Sequence, residues 1–141
     1  MTTKSIVITV LAIIVVLGAW FWGANGRWTA ERALQRAELR QNLMEGRSNV
    51  LEARLDVYSV NFGEASRHLE NARALLGRAS DQLTHLDRAS DATAVQAALA
   101  GIDDAQRMAG NLDQNANTRA ADVAKIIAGV LESTVKTPDA K

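Results

Sequence analysis

The side chains best suited to chemistry in this chain are two histidines and a scatter of carboxylates, and their spacing assembles no reactive centre. On one helix, His68 and His85 point roughly 100° apart, too far round to share a metal ion. Glu64 precedes His68 by one helical turn and could face the same ligand, but a pair alone is a thin site. The Glu-x-x-His spacing of helical di-iron centres is absent. The neighbours Asp103 and Asp104 diverge by about 100° on a helix and form no carboxylate pair. Asp113 stands too isolated to build a calcium loop, and both histidines are expected on the solvated surface. No glycine-rich dinucleotide loop, phosphate-binding loop or nucleophile motif occurs. Without cysteine there is no disulfide and no thiolate metal site. These residues point to an interaction protein with no metal and no cofactor, not to an enzyme.

Composition narrows the partners. Of 141 residues, 16 are Lys or Arg and 16 are Asp or Glu, so the chain offers no electrostatic case for nucleic acid. Its single proline, Pro138, lies near the C-terminus, and the remainder is rich in Ala, Leu, Glu, Arg and Gln. Such a sequence favours long helices.

The most directive segment is Ile6 to Trp22, which carries no charge and almost nothing polar. Extended to Ala24, it makes a helix roughly 30 Å long, about the thickness of a bilayer's hydrocarbon core. Lys4 bounds it on one side. Trp20, Phe21 and Trp22 stand at the other, where amphipathic rings favour the headgroup level, with Trp28 just beyond. Ala24-Asn25-Gly26 offers a small-x-small cleavage site, yet the apolar run is longer than a signal peptide's and three bulky aromatics stand before that site. The expectation is a retained, single-pass anchor over residues 5–26, preceded by a short tail, 1–4. Two arguments on orientation compete. Arg27, Arg32, Arg36 and Arg40 follow the span, and counting cations puts the C-terminal domain in the cytoplasm. A short N-terminal tail before one span commonly delivers that domain across the membrane instead. The extracytoplasmic side of a bacterial inner membrane is the expectation carried forward.

Residues 27–135 read as an antiparallel bundle of three or four helices, with a disordered tail at 136–141. In the first helix, expected from about Trp28 to Val60, acidic residues recur every seven positions at Glu31, Glu38, Glu45 and Glu52, and arginines at Arg40, Arg47 and Arg54. Two apolar seams flank the arginine stripe. One is Leu34, Ala37, Met44, Leu51, Leu55 and Tyr58, interrupted by Gln41 and Ser48; the other is Leu39, Leu43, Gly46, Val50, Ala53 and Val57. So wide an apolar arc suits a helix with two neighbours better than one seam of a simple coiled coil. Gly46 costs about 1 kcal/mol of helix propensity and suggests a neighbour that approaches closely.

Asn61-Phe62-Gly63-Glu64 has the spacing of a capping box. From there Phe62, Ala65, Leu69, Ala72, Leu76, Ala79, Leu83 and Leu86 keep a 3-4 spacing, which predicts a second helix with one buried stripe. A polar break at Asp87–Asp91, with Ser90 or Asp91 as cap, precedes a third helix facing inward through Val95, Leu99, Ile102, Ala105, Ala109 and Leu112. Asn111 to Thr118 reads as a corner, or as a kink within one long rod. The last helix spans about Thr118 to Thr134 and buries Ala120, Val123, Ile127 and Val130.

Residues 53 to 77 resemble one tetratricopeptide-type helix-turn-helix. Ala53 lies in the first helix, Asn61-Phe62-Gly63-Glu64-Ala65 follow, and Leu69 and Ala72 fall at that family's spacing in the second. The segment departs from the pattern at Asp56 and Gly77, and the pattern does not return 34 residues on. The resemblance implies a protein-binding role without catalysis.

The functional expectation is therefore a membrane-anchored adaptor, scaffold or accessory subunit of a larger membrane complex. The alternative is a tethered sensor that binds a small ligand between helices. Trp20, Phe21, Trp22, Trp28, Arg32, Arg36 and Arg40 are the candidate lipid contacts, since cations near anionic lipid contribute roughly 1 kcal/mol each. Packing or partner binding explains the arginine line as well, because it continues to Arg47 and Arg54. Leu39, Leu43, Arg47, Val50, Arg54 and Val57 are the candidate partner surface, whether the partner is another protein or a second copy.

Overall fold

Among the described residues, four helices account for the secondary structure: α1 (Thr3–Tyr58), α2 (Phe62–His85), α3 (Ala89–Gly110) and α4 (Asn115–Lys136). The structure, a computed structural model, describes the backbone of residues 3–136 and the side chains of residues 30–136. It divides into two compact units, Met1–Arg36 and Ala37–Lys141. The first is the N-terminal part of α1 and contains the expected anchor, 5–26, whose side chains lie outside the described residues together with Trp28. Among the described residues no helix is long and apolar enough to cross a membrane. The tail expected at 136–141 also lies outside them, except Lys136, which is the last residue of α4.

The second unit is an up-down-up-down four-helix bundle. Asn42 on α1 donates to Gln82 on α2 at 3.1 Å, while the later α1 residue Asn49 meets the earlier α2 residue His68 at 3.3 Å, so these two helices run antiparallel. Arg73 of α2 pairs with Asp103 of α3, and Arg119 of α4 donates to Asp104 of α3 at 2.8 Å. Arg54 of α1 donates to Asn117 of α4 at 2.9 Å and closes the ring. The 3-4 stripe of α2 is buried from Phe62 to Leu83, as its spacing predicts, with Leu86 packed against its edge. Alanine supplies four of the seven buried residues of α3 and three of the six of α4, which lets helices approach closely. A Cβ added at Gly46 would lie 3.0 Å from Leu76 Cδ2, so the close approach suggested by that glycine is real, and Leu76 of α2 makes it.

The corners differ from expectation in their chemistry. Asn61 is the N-cap of α2 but its side chain makes no capping bond, and Glu64 pairs with Arg67 instead. The N-cap of α3 is Arg88 rather than Ser90 or Asp91, and its guanidinium reaches Asp91 at 2.6 Å and the Ser133 hydroxyl of α4 at 3.1 Å. The third corner is shorter than expected, since α4 begins at Asn115. Leu112, expected on the inner face of α3, is exposed because the chain has already turned there.

All three corners are one motif. Val60, Asp87 and Leu112 have φ of 62°, 55° and 57°, and each is followed by an amide that bonds back five residues: Asn61 to Asp56, Arg88 to Leu83, Asp113 to Met108. This is the Schellman ending, whose left-handed position ordinarily holds glycine. A β-branched residue is strained there. Val60 is exposed, so Val60→Gly removes strain and little packing. It is expected to raise stability by about 0.5–1 kcal/mol after the entropy of glycine in the unfolded chain is deducted. Urea unfolding followed by circular dichroism measures this, and a lower midpoint would show that Val60 packs in a way its exposure does not reveal.

Candidate functional site

The two seams of α1 separate cleanly in space. Within the second unit, Leu39, Leu43, Val50, Ala53 and Val57 are buried in the core, with Gly46 between them. The other seam is left outside: Met44, Leu55 and Tyr58 are 54%, 67% and 79% exposed, and Leu51 is half-buried. The fourth helix is in place and reaches Leu51, which packs against the core, but it leaves Met44, Leu55 and Tyr58 uncovered. Four candidate partner residues, Leu39, Leu43, Val50 and Val57, are therefore occupied by the chain's own packing, because a bundle needs one continuous apolar face from each helix. The exposed seam is the accessible apolar surface of α1. In the first unit Leu34, from the same heptad series, is likewise exposed at 70%.

The arginine line runs along the boundary between the two seams. Arg40 is exposed, whereas Arg47 and Arg54 are half-buried beside α4. They border a groove of about 250 Å³ with Leu51, Ala121, Asp122, Ala124 and Lys125. Arg54 is held by Asn117, while Arg47 Nε is buried without a hydrogen-bond partner. Arg32 and Arg36, in the first unit, are exposed. The aromatic candidates Trp20, Phe21, Trp22 and Trp28 lie outside the residues whose side chains are described.

The histidines part company. His85 is exposed, but the His68 side chain is only 19% exposed and is enclosed by α1. Its Nδ1 lies 3.3 Å from Asn49 Oδ1 and 3.4 Å from Glu52 Oε2, and its Nε2 lies 3.6 Å from Asp56 Oδ2. His68 is thus an interhelical latch rather than a solvated residue, and Glu64 is turned away from it. Asn49, Glu52 and Asp56 share one face of α1, a signal that becomes meaningful only once α2 is known to pack there. Among the described residues no cluster of three metal-ligating side chains could hold an ion.

Asp103 and Asp104 do diverge, one toward Arg73 of α2 and the other toward Arg119 of α4. Arg107 and then Arg119 hold the Asp104 carboxyl below the usual carboxylate range by hydrogen bonds to its charged form. A depressed folded pKa contributes stability above the unfolded value, about 4, and that contribution disappears as pH falls through the folded value. Asp104→Asn should therefore be less stable than the parent at pH 7, with the gap closing under acid. Paired urea titrations at pH 7 and pH 3 test this; a gap independent of pH would mean that the charge is not what matters.

The region around 53–77, which resembles a tetratricopeptide hairpin, is the α1–α2 corner, and α3 and α4 close it into a bundle rather than extend it as a stack. Comparison of the chain with protein-family models, curated proteins and solved structures finds no match.

Proposed function

We propose that this protein is a single-pass membrane scaffold or accessory subunit that acts by protein–protein contact through the outer face of α1. The observation that carries this reading is the uncovered seam: large apolar side chains stay in solvent on α1 although the bundle is complete with four helices. Large exposed apolar side chains aligned on one helix face are the raw material of an interaction site. The uncharged run from Ile6 to Trp22 supplies the anchor, and the arginines that follow it supply contact with lipid headgroups. On this reading the bundle lies on the extracytoplasmic side of a bacterial inner membrane. The α1–α4 groove, at about 250 Å³, is smaller than the roughly 300 Å³ at which small-molecule sites begin.

The test uses the full-length tagged protein. Alkaline carbonate should leave it in the membrane pellet, and purification in mild detergent should yield an assembly larger than one chain in a fixed ratio. Release by carbonate would remove the anchor from this reading. A strictly monomeric particle would remove the scaffold.

A further inference from the structure

We infer that the occupant of the outer α1 seam is a second copy of this chain, docked in parallel as a coiled coil. The inference deepens the scaffold reading and rests on its premise that this face binds protein. Read as heptads from Ala37, the outer seam takes the two core positions, with Met44, Leu51, Leu55 and Tyr58 as its large apolar members. At 100° per residue this seam lies roughly opposite the seam buried in the bundle, so a second helix can dock without disturbing the core. The helix is already formed and braced by its own bundle, so association need not supply helix nucleation.

Charge identifies the occupant and its direction. In the second unit, every flanking position on one side of the seam is acidic, Glu38, Glu45 and Glu52, and on the other side Arg40, Arg47 and Arg54 are all basic. In a parallel pair each such basic position meets the acidic position of the next heptad on its partner. Arg40 then faces Glu45 of the second copy and Arg47 faces Glu52, and twofold symmetry repeats both pairs. An antiparallel pair would set arginine against arginine and glutamate against glutamate. Among the described residues, Arg40, Arg47 and Glu45 enter no ion pair within the chain; Glu45 accepts from Gln41, and Glu52, which lies 3.4 Å from His68, would exchange that neighbour for Arg47 of the second copy. Gln41 and Ser48 are the polar members of the seam, the kind of interruption that selects register at some expense of affinity.

The chain contains no cysteine, so single cysteines report geometry directly. In full-length protein purified in mild detergent, Ala37→Cys and Tyr58→Cys should each form a disulfide-linked homodimer on mild oxidation, while Gln114→Cys, at an exposed corner, should not. An antiparallel pair would instead link only a mixture of Ala37→Cys and Tyr58→Cys, and would overturn the proposal. Charge exchange supplies a second readout. Arg40→Glu with Arg47→Glu, and separately Glu45→Arg with Glu52→Arg, should each weaken self-association by at least about tenfold, since four attractions become repulsions. Mixing the two variants should restore a heterodimer. A merely structural role for these charges would show no rescue on mixing, and circular dichroism confirms that each variant is folded. Carbonate-extractable protein that still links at both positions keeps the dimer and discards the anchor. Membrane-retained protein that binds a different chain and links at neither position keeps the scaffold and discards the dimer.

Discussion

Leu76→Ala is expected to lower the stability of the bundle by about 3–5 kcal/mol, the upper part of the range for a fully buried leucine. Leu76 has no exposed surface, and its side chain fills the space above Gly46 of α1. Glycine has no side chain to move into a void, so the cavity should persist. The same geometry predicts a coupled effect. In the parent, a methyl at Gly46 would sit 3.0 Å from Leu76 Cδ2, so the gain of helix propensity, about 1 kcal/mol, is offset by crowding. With Leu76→Ala present, Gly46→Ala should recover about 1 kcal/mol or more by combining propensity with partial filling of the hole. A double-mutant cycle by urea unfolding of the full-length protein in detergent reads the coupling. If Gly46→Ala has the same effect in both backgrounds, the contact at this crossing is not what the geometry indicates.

The second large effect contrasts the two seams of α1. Val50 is fully buried, and Val50→Asp places an unpaired carboxylate among apolar neighbours, which costs several kcal/mol or forces the group to bind a proton. Against a typical domain stability of about 5–15 kcal/mol, this should unfold the bundle or leave it marginal. Leu55 is 67% exposed, and Leu55→Asp should shift the unfolding midpoint by less than about 1 kcal/mol. Leu55→Asp should nevertheless weaken assembly through the outer seam strongly, because it puts two like charges face to face at a core position of that interface. Helicity and native mass, measured on both variants, separate folding from association. Equal damage from the two substitutions would mean that the outer seam also serves the fold.

Both predictions depend on distinguishing seams that look alike in one dimension. Periodicity identified the buried stripe of α2 and the inner residues of α4, because a 3-4 spacing has one geometric outcome on a helix, but it left open whether α3 and α4 are two helices or one kinked rod. It also identified Asn61 as the residue opening α2. On α1, however, both seams have helical spacing, and the interruption of one by Gln41 and Ser48 is the only local difference between them. The ranking comes from α2, α3 and α4, whose combined width covers one face of α1 and no more. The same holds for His68: its position off the α2 stripe is legible, but Asn49, Glu52 and Asp56 become its neighbours only when α1 docks.

The corners carry the same lesson at shorter range. Their polar residues announce a turn, yet Val60 and Leu112, which hold the left-handed positions, are residues that local preference would exclude there. Tertiary packing overrides that preference, since burying Phe62 and Val57 on the two sides of the first corner outweighs the strain at one exposed residue between them. By itself, the sequence determined that this chain forms helices, which residues repeat along them, and that two charge lines flank an apolar seam. Only the tertiary structure decided which seam becomes core and which stays outside, because burial is a property of the neighbours that arrive, and four helices can enclose only one face of each.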